Sequence, residues 1–122
     1  MIMEELKYFH LSEFDSPDVE GSGELMNKET LSMLEIAREI ADIPFVINSG
    51  YRTSENNLSV GGKKNSAHTR GYAFDIKVTN GIERMKVVNA LMQAGFNRIG
   101  IARTFIHGDN DPSLPQNVIW TY

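Results

Sequence analysis

The chain reads as an α+β fold, a small antiparallel sheet with two main helices packed against it, and three observations carry that reading. Two segments, near 27–41 and 80–94, repeat apolar residues at three-and-four spacing. Four or five short runs of β-formers stand between glycine, proline and asparagine punctuation. The runs near 98–102 and 104–107 follow each other directly, which favours antiparallel neighbours.

Taken in order, Ser12 to Gly23 is rich in acid, Ser, Gly and Pro and reads as a surface loop. Asn27 predicts the cap of a helix running to about Ala41, with Met33, Leu34, Ala37, Ile40 and Ala41 on one face and Pro44 as the stop. Phe45, Val46 and Ile47 predict a short buried strand that delivers Asn48 to Arg52 at its end. Glycines 61, 62 and 71 predict an irregular loop over Ser54 to Arg70, with one short helical turn near Glu55. From Ala73 the pattern alternates. Phe74, Ile76 and Val78 point one way and Ala73, Asp75 and Lys77 the other. Asn80 with Glu83 resembles a capping box, and Ile82, Met85, Val88 and Met92 form the stripe of a second helix ended by Gly95. Two short strands joined around Arg103 follow, and Val118 to Tyr122 predicts a final one.

Length and charge exclude several functions. A chain of 122 residues predicts one domain over 1–122, too small for a second core. A net charge of -4 with no basic stripe argues against nucleic acid, since the Lys63-Lys64 pair is isolated. There is no cysteine, so any metal must be held by His, Asp or Glu. Met1 to Asp15 lacks a basic n-region and an apolar h-region, and no apolar run approaches the roughly 20 residues of a membrane span.

The chemistry concentrates in three residues. His68, then Asp75 seven residues later, then His107 supply two nitrogens and one oxygen, the ligand set of an open zinc site with a fourth position for water. The alternative is that each histidine is a hydrogen-bonded structural residue. On a strand, His107 and Asp109 share a face, which makes Asp109 the candidate general base, with Asp111 in reserve; a solvated acidic turn is the alternative for both. Arg52 offers a planar fork to a substrate carboxylate, or an ordinary surface ion pair. Ser66 can bond either substrate or loop backbone. His10 reads as structural or exposed, and Trp120 and Tyr122 as core or groove wall.

Ser49-Gly50-Tyr51-Arg52, then Asn57, Val60-Gly61-Gly62, Ser66-Ala67-His68 with Gly71, Ala73 and Asp75, and finally Phe105 to Asp109, resemble the zinc D-alanyl-D-alanine carboxypeptidase family, peptidase M15. The likeness spans about residues 8 to 122 and points to its small single-domain branch, a family that includes dipeptidases and phage endolysins and shares its fold with the hedgehog signalling domain. The resemblance implies zinc on His68, Asp75 and His107, Arg52 on the substrate carboxylate, and Ser66 in the substrate cleft. It implies hydrolysis of peptidoglycan stem peptides. The lack of a signal-peptide pattern leads to the expectation of a cytoplasmic protein or a phage-released lysin acting on the cell wall, and a monomer is expected. A non-catalytic zinc-containing binding module of the same fold is the competing expectation. Many relatives place a glutamate three residues before the last histidine; here Thr104 stands there, and the His-x-Asp pattern of the small branch assigns the base to Asp109. Relatives often carry a β-branched residue where this chain has Gly108, whose freedom would loosen the aim of Asp109.

Overall fold

The computed structural model describes residues 6–122; the Met1 to Glu5 part of the segment read above as lacking a leader lies outside the described residues. Helix α1 spans Lys28–Ala41 and begins where predicted, because the Asn27 side chain accepts the Thr30 amide at 3.0 Å. It ends at Asp42, whose left-handed φ of 54° breaks the helix two residues before Pro44. Leu31, Leu34, Ala37 and Ala41 are buried, with Met33 partly so and Ile40 turned outward. The turn expected near Glu55 is α2, Ser54–Ser59, capped by Thr53.

A five-stranded sheet carries the site. Its strands are β1 (Ile47–Ser49), β2 (Ala73–Lys77), β3 (Arg98–Ile101), β4 (Phe105–Asp109) and β5 (Val118–Thr121), in spatial order β1-β2-β4-β3-β5. All neighbours are antiparallel except β3 and β5, which are parallel because the connection from Asp109 to Val118 stays at the Arg98 end of the sheet and passes over β3. The strand predicted at 45–47 lies instead at 47–49. Phe45 is buried and Val46 exposed, as befits an edge that pairs on one side only.

Alternation sorts the two faces of the sheet. Phe74, Ile76, Val78, Ile99 and Ile106 join Leu34, Val87 and Leu91 in the core beneath the helices. Helix α3, Gly81–Gln93, meets that core through Val87, Ala90 and Leu91, and the predicted stripe is corrected: Ile82, Met85 and Met92 are exposed. Apolar residues occupy more than one side of this helix, so the spacing had two solutions, and contact with the sheet selected the one containing Val87 and Leu91. No described helix is long and apolar enough to cross a membrane.

The opposite face holds polar groups in a transverse row. Ser49 pairs with Asp75, Asp75 with His107, His107 with Gly100, and Gly100 with Trp120, so one line of residues crosses all five strands. The segment read as a surface loop at 12–23 is tied down. Phe14 is fully buried, and the Asp15 carboxylate accepts the amides of Gly21 and Gly23 at 3.0 and 2.7 Å.

Candidate metal centre

Two of the three expected ligands are neighbours in the sheet, since Asp75 on β2 stands directly opposite His107 on β4. The third comes from a short 3-10 turn, Ala67–Arg70, that lays His68 over them. Ser66 caps this turn, its Oγ accepting the His68 amide at 3.2 Å. Gly71 closes it at φ 80°, where a side chain would also strike the Leu25 carbonyl. Of its two sequence alternatives, Ser66 therefore takes the backbone bond, and it is not among the residues lining the cleft described below.

The donor atoms of His68, Asp75 and His107 lie within 4.8 Å of one another, and all three residues are buried. Asp75 Oδ1 is 3.4 Å from His68 Nε2 and 3.1 Å from His107 Nδ1. Each ring has its other nitrogen engaged. His68 Nδ1 lies 2.7 Å from the Gly50 carbonyl, so it carries the hydrogen there and leaves the Nε2 lone pair facing Asp75. His107 Nε2 lies 2.6 Å from Asp109 Oδ2, which leaves Nδ1 facing Asp75. Two ring nitrogens and a carboxylate oxygen thus converge, a donor set that suits a divalent ion taking nitrogen and oxygen ligands.

The electrostatics agree with that convergence. Burial opposes the charge of Asp75, but its close contacts with His107 and His68 outweigh it and hold the carboxyl well below the usual range. Burial pushes His68 below the ordinary imidazole value. It acts the same way on His107, where hydrogen bonds to Asp109 and Asp75 prevail and raise the value.

Beside the centre lies a cleft of about 420 Å³, lined among others by Arg52, Asp75, Asn48, Phe105, Glu13 and Asp15. Arg52 reaches Asp75 Oδ2 at 3.3 Å, Ser49 Oγ at 3.0 Å and Asn57 Oδ1 at 3.3 Å. Asn57 is itself buried and donates to the Lys63 carbonyl at 2.8 Å, so it joins the guanidinium to the loop above. The sequence named Asn57 within a motif but gave it no task; its signal was only an amide five residues after the arginine.

Asp109 does share the His107 face, but it stands behind the ring and not in the cleft. It is fully buried, with Oδ1 accepting from Arg98 Nε at 2.7 Å and the Asp111 amide at 3.1 Å. Asp111 is equally enclosed. It accepts from Arg70 Nε at 2.7 Å and from the Ser113 amide and hydroxyl at 2.9 and 2.6 Å. Neither carboxylate is the solvated turn that was the alternative reading. His10 is exposed, and Trp120 is a wall: its indole crosses Gly100, where a Cβ would meet it at 2.6 Å, and comes to 5.3 Å from the His107 ring. Gly108 is not loose either. It lies opposite Phe74, whose ring a Cβ would meet at 2.7 Å, so its missing side chain is space already filled.

No curated protein matches the chain. The family model described as Peptidase M15 matches residues 7–109, a stretch that contains His68, Asp75, His107 and Arg52, and the chain belongs to that family.

Proposed function

We propose that the protein is a zinc peptidase of the small carboxypeptidase and endolysin branch, a single-domain monomer that hydrolyses peptidoglycan stem peptides at the cell wall. One observation carries the reading: Asp75 faces both histidines through Oδ1 and Arg52 through Oδ2, so metal donors and a carboxylate-binding cation meet at one residue. The three donors fit zinc in number, type and spacing. Bound there, zinc would polarise a scissile carbonyl and lower the pKa of water to about 7.

This chain's own groups supply the placement. Arg52 lines the cleft with contacts of 3.0 to 3.3 Å, longer than the roughly 2.7–2.9 Å of tight charged pairs, so a substrate carboxylate has donors to recruit. Ser49 and Asn57 hold the plane of its fork from two sides. Phe105 offers an apolar wall on the same cleft. Stem peptides, which end in a free carboxylate beside small apolar side chains, suit such a surface.

A second reading, a zinc-containing module that binds without turnover, is favoured by Thr104 in the glutamate position and by the enclosure of Asp109. Incubating the zinc-loaded protein with purified muropeptides and weighing the products separates the two. Loss of one alanine identifies a carboxypeptidase, and separated stems an endopeptidase. Intact muropeptides that nonetheless bind the protein identify the module.

A further inference from the structure

We propose that Asp109, clamped by Arg98, is a positioning residue that fixes His107 to bind metal through Nδ1, and not the acceptor of a proton from the attacking water. The inference rests on the zinc reading above. An imidazole that meets a partner with one nitrogen directs the other to the far side of its ring. With Asp109 Oδ2 at 2.6 Å from Nε2, the hydrogen of neutral His107 is drawn to Nε2, and the Nδ1 lone pair is left facing Asp75 Oδ1 at 3.1 Å.

The carboxylate is itself held. Arg98 is the direct cross-strand partner of Asp109, donates Nε–H to Oδ1 at 2.7 Å, anchors Nη1 on the Pro115 carbonyl, and lays its guanidinium 5.1 Å from the centre of the Trp120 ring. The Asp111 amide adds a second donor to the same oxygen. Both oxygens are therefore committed and the side chain is fully buried, so no oxygen of Asp109 reaches water in the cleft. What remains for it is orientation. A carboxylate behind a ligating imidazole fixes the tautomer and raises the donor strength of the other nitrogen.

Asp109→Asn makes the inference testable, because Arg98 and the Asp111 amide require an oxygen at Oδ1 and so turn the new NH₂ toward His107. Nε2 must then accept, and the hydrogen moves to Nδ1, where it competes with metal. Zinc affinity, read by competition with a chromophoric chelator, should fall about 10- to 100-fold. Long-range ¹H–¹⁵N spectra of zinc-loaded wild type should place the ring hydrogen of His107 on Nε2 and that of His68 on Nδ1. A hydrogen on Nδ1 of His107 overturns the inference, and so does an Asp109→Asn protein that binds zinc as tightly as wild type while losing rate. The wild-type spectra decide the matter even if the variant fails to fold. Wild type that takes up no zinc at all removes the metallopeptidase reading instead, a result distinct from either.

Discussion

The Gly50 carbonyl receives the Nδ1 hydrogen of His68 at 2.7 Å, so this ring is fixed before any metal arrives. A buried, pre-turned imidazole loses little freedom on binding, which places most of the metal affinity on the donors themselves. Purified wild type should hold one zinc per chain. His68→Ala and His107→Ala should each bind substoichiometrically at micromolar free zinc, measured by atomic absorption after dialysis. Full zinc content in either variant sinks the assignment.

Arg52 offers two or more N–H groups in one plane, and lysine offers a point charge. Arg52→Lys should therefore raise KM or lower kcat/KM for a peptide with a free carboxylate by about 10-fold or more, the scale of a charged hydrogen bond. The matching C-terminal amide should lose far less. Equal losses on acid and amide would show that Arg52 serves the fold alone.

Asp111, itself fully buried, accepts from Arg70 and from Ser113. Burial works against its charge, but the Ser113 and Arg70 hydrogen bonds prevail and lower its carboxyl from the ordinary value. A group depressed in the folded state contributes stability above its unfolded pKa and loses it as pH falls through the folded one. Asp111→Asn should cost about 1–3 kcal/mol at pH 7 in urea melts. The gap to wild type should narrow below about pH 4, where the unfolded carboxyl titrates. A gap that widens in acid contradicts this account.

The space above Gly108 is occupied by the Phe74 ring, with Leu91 next to it at 3.4 Å from the position of a Cβ. Gly108→Val should destabilise by about 1–3 kcal/mol through overpacking. Adding Phe74→Leu should recover part of that loss in a double-mutant cycle, because the two residues face each other across β2 and β4. Strict additivity of the two changes would remove the explanation.

Much of this arrangement is written locally. Asn27 and Asn80 each cap the helix that follows, accepting from Thr30 and Glu83, and a side chain bonding an amide three residues on leaves a pattern that sequence displays. The alternation from Ala73 to Val78 sorts core from site for the same reason. What sequence did not display depends on register. Arg98 finds Asp109 only once β3 and β4 are paired, and Arg70 reaches Asp111 across 41 positions, so the carboxylate expected in the cleft and its reserve lay behind other residues. The burying face of α3 was ambiguous because its outward side also carries Ile82, Met85 and Met92. The parallel pairing of β5 with β3 followed from a connection that skips past β3, a choice of neighbour that no short pattern encodes.

Trp120 is the single tryptophan of the chain, and the bare backbone of Gly100 lets its indole lie 5.3 Å from the His107 ring. The molecule therefore carries its own optical probe at the candidate metal centre. A protonated imidazole takes an electron from excited indole and quenches it, whereas a zinc-bound ring carries no such proton on the nitrogen facing the metal. Emission at mildly acidic pH should brighten as zinc is added, and His107→Ala should abolish that response without moving the tryptophan, so metal occupancy can be followed in unlabelled protein.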